Sequence, residues 1–128
     1  MTATNATAVH DTAVTRYFEA WNARTDEARA KAVAAAWTED GTYTDPLADV
    51  AGHEGIAAVM GAAHEQFPGF FFRQLGAVDG HHRVARFGWE LVSEADGSAP
   101  VAGFDVVEIA GDGRITAVHG FLDRVPAA

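Results

Sequence analysis

Tyr17, Asp45 and Asp105 are the residues whose types and surroundings could do chemistry in this chain. Tyr17 lies in an amphipathic helical pattern. Asp45 ends a short strand pattern and precedes Pro46. Asp105 lies inside the apolar run Val101-Ala102-Gly103-Phe104-Asp105-Val106-Val107. A carboxylate in such a run is expensive to bury unless it is hydrogen-bonded or protonated. Converging on one pocket, the three would supply a base and two proton-bearing donors, which is equipment for moving a proton next to a carbonyl.

The elements that must position them follow from the hydrophobic periodicity. From about Val9 to Arg24, Val14, Tyr17, Phe18 and Trp21 form one stripe, while Asp11, Arg16 and Glu19 lie off it. Thr25-Asp26 offers an N-cap for an alanine-rich second helix reaching Ala36 or Trp37, and Glu39-Asp40-Gly41 breaks it. Thr42 to Asp45 reads as a short strand stopped by Pro46, followed by a polar loop. Gly52 to Gly55 leads into a third helix with the stripe Ile56, Val59, Met60, Ala63 and Phe67, ended by Pro68-Gly69. Thereafter the period is two: strands are expected over Phe70–Val78, Arg83–Glu94, Val101–Ala110 and Arg114–Asp123. Asp79-Gly80, Ala95-Asp96-Gly97 and Gly111-Asp112-Gly113 provide the turns. Helices followed by an antiparallel meander make an α+β fold.

At 128 residues the chain is one domain, expected over 9–125 with a disordered tail at 1–8. Its hydrophobic fraction of 48% against 21% charged argues for a packed core. Without cysteine there is neither a disulfide framework nor a thiolate metal site. A net charge of −9 disfavours a nucleic-acid partner. No apolar run approaches the roughly 20 residues that span a bilayer, and no secretory signal opens the chain. These features lead to the expectation of a soluble, cytoplasmic protein.

Several stretches carry a family resemblance: Arg16-Tyr17, Asp40-Gly41-Thr42-Tyr43-Thr44-Asp45-Pro46, Gly52-His53-Glu54-Gly55-Ile56, Phe104 to Ile109, and Asp112-Gly113-Arg114-Ile115. In this order the chain resembles the nuclear-transport-factor-2-like superfamily, and within it the SnoaL-like and ketosteroid-isomerase-like members. The resemblance implies a cone: three N-terminal helices packed in a curved, mainly antiparallel β-sheet around an apolar pocket. In ketosteroid isomerases a carboxylate base works with an oxyanion hole made by a tyrosine and a protonated aspartic acid. Carried over by motif, these roles fall on Asp45, Tyr17 and Asp105. A supporting tyrosine of the family is replaced here by Met60. The superfamily also holds cyclases, epoxide hydrolases and non-catalytic binding modules, so the fold leaves function open.

The resemblance therefore implies a cofactor-free, metal-free enzyme acting on a small hydrophobic carbonyl compound, as a homodimer. Its pocket wall is expected to include Trp21, Met60, His64, Trp89, Phe104, His119 and Phe121. Each residue also has a plainer reading. Asp45 could satisfy turn N–H groups, Asp105 could pair with Arg73, Arg83, Arg86 or Arg114, and Tyr17 and the histidines could be structural. The alternative functions are a ligand-binding or dimerising module without chemistry and, third, an epoxide hydrolase, which needs an inward arginine.

Overall fold

A computed structural model describes residues 7–126. Residues 1–6 of the expected tail lie outside the described residues, while Thr7 caps α1 (Ala8–Asn22) by accepting the His10 N–H, so Thr7 and Ala8 belong to the helix start. Its buried face holds Ala13, Val14, Tyr17 and Trp21, and each recurs three or four residues on. Asn22 then ties the helix end to a strand, donating from Nδ2 to the Phe72 carbonyl at 2.9 Å and accepting the Phe72 N–H at 2.8 Å. Thr25 caps α2 (Asp26–Ala36), which passes without a loop into β1 (Trp37–Asp45).

β1 is longer than its sequence pattern suggests. The expected break at Glu39-Asp40-Gly41 is present as an irregularity inside the strand, between Trp37 and Thr42. A side chain at Gly41 would stand 2.6 Å from Trp37 Cδ1, so glycine is what lets the chain fold back over that buried indole. After a tight turn at Pro46-Leu47, the stretch expected as a loop pairs back on β1 as β2 (Ala48–Ala51). α3 (His53–Gln66) follows, burying Ile56 and Met60.

β3 (Phe70–His81), β4 (Val84–Ser93), β5 (Val101–Ile109) and β6 (Ile115–Arg124) form the expected antiparallel meander. The first hairpin turns at His82 and Arg83 rather than at Asp79-Gly80, and His82 adopts a φ of 50°. Gly80 instead pairs with Ala85 inside β3 and leaves room for the His10 ring, which lies 2.7 Å from where a Cβ would sit.

The six strands run in the order β2-β1-β6-β5-β4-β3, and β1 pairs with β6 in parallel. The result is an α+β fold in which the three helices pack against a curved, unclosed mixed sheet. No helix among the described residues is long and apolar enough to cross a membrane.

Irregularities in β6 set which side chains face the helices. Opposite Ile109 and Glu108, β6 advances from Ile115 to Ala117, and opposite Gly103 and Ala102 from Leu122 to Arg124. Each extra residue reverses the in–out alternation. Gly103 sits at the second irregularity, where a Cβ would be 2.1 Å from the Phe121 carbonyl oxygen and 2.9 Å from Trp89 Cζ2. Gly103→Ala should therefore destabilise the protein by about 3 kcal/mol or more, read from denaturant unfolding.

Candidate active site

Asp45 closes β1, and the turn that follows wraps round its carboxylate. Leu47 and Ala48 donate their backbone N–H groups to Oδ1, both at 2.8 Å, and the Tyr43 hydroxyl donates to Oδ2 at 2.6 Å. The turn role open to Asp45 is thus realised on one oxygen. An ionised carboxylate offers about four acceptor sites, so Oδ2 keeps one free. Tyr43 reaches Asp45 because strand residues two apart share a face. Tyr43 is not among the expected site residues, although the alternation Tyr43-Thr44-Asp45 puts it on the face of Asp45.

Asp105 is 3% exposed in the middle of β5. Its neighbours on the outer face are Phe104 and Val106, both half-exposed, so only its own face is fully buried. The Tyr17 hydroxyl donates to Asp105 Oδ2 at 2.5 Å, and Trp89 Nε1 donates to Oδ1 at 3.2 Å. Three of the four arginines considered as partners pair elsewhere: Arg73 with Glu90, Arg86 with Asp79 and Arg114 with Asp112, and Arg83 lies in the β3–β4 turn. Burial pushes the Asp105 carboxyl up to about 7, the bonds from Tyr17 and Trp89 pull against it, and the nearby charge of Asp45 adds to the rise. Burial, with the Asp105 charge second, also holds the Tyr17 phenol well above its ordinary value, so it is a neutral donor. Phe87 and Trp37 pack on its ring, with centroids at 5.2 and 5.5 Å.

Gly120 brings the two carboxylates into view of each other. It lies on β6 opposite Asp105 and beside the end of β1. A Cβ there would be 2.8 Å from Asp105 Oδ1 and 3.2 Å from Asp45 Cβ. A side chain at 120 would stand between the acids.

Tyr17, Tyr43, Asp45, Trp89 and Asp105 share the wall of one cavity of about 430 Å³. The rest of the wall is mainly apolar, with Val59 and Ala63 from α3, Phe67 just past its end, Phe72 and Leu122 from the sheet, and the exposed Leu47 and Val125 among the lining residues. Of the expected wall residues, Trp21 and Trp89 line it. Five other expected wall residues do not. Met60 is fully buried within the helix–sheet core. His64 donates from Nε2 to the Trp21 carbonyl at 2.6 Å, tying α3 to α1. Phe104 and Phe121 stack on each other on the outer sheet face, their centroids 4.9 Å apart. His119 is exposed and bonds Glu108 at 2.7 Å. For His119 and Phe121 the reason is the irregularity after Ile115, which turns Val118, Gly120 and Leu122 inward instead. Among the described residues, no group of three or more His, Asp or Glu side chains is placed to hold a metal ion.

A cone-type α+β fold with acids and phenols at one end of an apolar cavity defines the class, and comparison with known proteins agrees. The SnoaL-like domain family matches residues 14–118, and the chain belongs to that family. Among solved structures, a protein from Agrobacterium tumefaciens, provisionally designated an isomerase of the SnoaL-like family, is 43% identical. The match covers 91% of this chain and 99% of that one, with a TM-score of 0.86. A SnoaL-like protein from Jannaschia sp. CCS1, provisionally a polyketide cyclase, is 18% identical over 96% of this chain and 91% of its own, with a TM-score of 0.75. A provisional polyketide cyclase from Sinorhizobium meliloti is 20% identical over 89% and 99%, with a TM-score of 0.67. The last two establish likeness of fold alone. No curated protein matches the chain.

Proposed function

We propose that the protein is a cofactor-free acid–base enzyme that moves a proton on carbon next to the carbonyl of a small hydrophobic substrate, as an isomerase or a cyclase. The observation that carries this reading is the short Tyr17–Asp105 bond in an apolar cavity that Asp45 also lines. Asp45 takes the proton at the free site on Oδ2, its other oxygen being held by the Leu47 and Ala48 N–H groups. Tyr17, backed by Asp105, holds the substrate oxygen as it becomes an enolate. Aimed donors in a site closed to water are worth roughly 2.7–4 kcal/mol each in the transition state. The Agrobacterium relative's designation as an isomerase is in keeping with this reading.

A binding module without chemistry is the competing reading, favoured by Met60 in place of a supporting tyrosine. The epoxide hydrolase reading loses its support because no arginine is among the residues lining the cavity. Binding of a series of substituted phenols separates the first two. A phenolate mimics the enolate, so affinity should rise steadily as the phenol becomes more acidic. Affinity indifferent to phenol acidity would leave only a greasy binding cavity.

A further inference from the structure

Four side-chain donors gather at the polar end of the cavity: Tyr17, Tyr43, Trp89 and Trp21. Three have acceptors. Tyr17 and Trp89 occupy the two oxygens of Asp105, and Tyr43 occupies Asp45 Oδ2. The fourth, Trp21 Nε1, has no acceptor within ordinary hydrogen-bonding geometry among the described residues, although Trp21 is 6% exposed and its nitrogen is fully buried. A buried N–H left without an acceptor costs free energy that a native site recovers when something binds it.

The indole is held firmly in this position. It lies four residues after Tyr17 on the same face of α1. Its ring lies between Phe72 and Tyr43, with centroids at 4.7 and 5.6 Å. The backbone is fixed by His64 bonding the Trp21 carbonyl and by the two-way bond of Asn22 with Phe72. The Trp21 N–H also approaches the Tyr17 hydroxyl, too loosely for an ordinary hydrogen bond but near enough to act on the phenol as a weak donor and favour negative charge there. A negative oxygen beside Tyr17 would feel the same pull.

We propose that Trp21 is a substrate-binding donor: its indole N–H and the Tyr17 hydroxyl together hold one ligand oxygen, the one that gains charge in the reaction. This deepens the proposed function and rests on it. The Tyr17 proton turns from Asp105 to the ligand when Asp105 carries its own proton and donates it to Tyr17 Oη, so no proton is gained or lost on binding. The buried polar groups then serve one end of the ligand, while Val59, Ala63, Phe67 and Leu122 meet the remainder, and Gln66, also on the wall, is an exposed residue at the end of α3. The substrate class is an uncharged ketone or aldehyde with a single oxygen-bearing end on an otherwise hydrocarbon body. The volume of about 430 Å³ suits such a molecule.

The test compares 2-naphthol with naphthalene by titration calorimetry. The wild type should prefer the naphthol, and Trp21→Phe should reduce that preference roughly tenfold while leaving the naphthalene affinity within about twofold. An unchanged preference in Trp21→Phe, or equal weakening of both probes, overturns the donor role. A second measurement needs no variant. The chain has three tryptophans, and in ¹H–¹⁵N spectra the Trp21 indole N–H signal should move downfield with 2-naphthol and not with naphthalene. A signal that stays in place overturns the inference. A wild type that binds both probes equally overturns the oxyanion reading beneath it as well, so the two failures are distinguishable.

Discussion

Asp45→Asn should slow the exchange of α-hydrogens of a bound apolar ketone for deuterium by roughly 10²–10⁴-fold, the usual worth of a positioned general base. Asparagine keeps a carbonyl oxygen for the Leu47 and Ala48 N–H groups that now meet Oδ1, so the turn after β1 survives. Its amide nitrogen faces Tyr43, which can rotate its hydroxyl to accept rather than donate. What the amide cannot do is take a proton from carbon. Exchange is followed by proton NMR in D₂O, and thermal melting confirms that the variant is folded. Equal exchange by wild type and variant would remove Asp45 as the base. Retained exchange in Asp45→Asn together with its loss in Asp105→Asn would reassign that role to Asp105.

Asp105→Asn should change how stability depends on pH. The folded-state carboxyl titrates near 7 against an ordinary value of 3.8, chiefly because it is buried. Between those values the folded protein binds more protons than the unfolded chain. Unfolding free energy from this group therefore falls as pH rises through the window, and its contribution is fully retained only below about 4. The full excursion corresponds to something on the order of 4 kcal/mol. Asparagine lacks the titration and presents an N–H₂ to either Tyr17 or Trp89, a penalty that does not vary with pH. Denaturant unfolding of wild type and variant at several pH values should thus give a difference that moves in the variant's favour from pH 4 to 8. A constant difference would mean that Asp105 ionises as freely in the fold as in the open chain.

Much of this molecule was legible in its residues. The stripe through Val14, Tyr17 and Trp21, the cap Thr25, and the alternation after Phe70 act over a few residues and needed no partner to be read. So the three helices, the four-strand meander and the α+β class followed from local periodicity, and the placing of Asp105 in an apolar strand already foretold a costly, chemically special carboxyl.

What periodicity does not carry is the pairing between distant strands and the count of residues across it. Only the tertiary structure pairs β1 with β6 in parallel, bringing Asp45 and Asp105 to either side of Gly120. Extra residues in β6 reverse a parity rule that holds only for an unbroken strand, which moves His119 and Phe121 outside and turns Gly120 and Leu122 inward. Hydrogen-bond partners are likewise a property of three dimensions. No local pattern could have assigned Tyr17 to Asp105 across 88 residues of chain, or left Trp21 Nε1 without an ordinary hydrogen bond among the described residues.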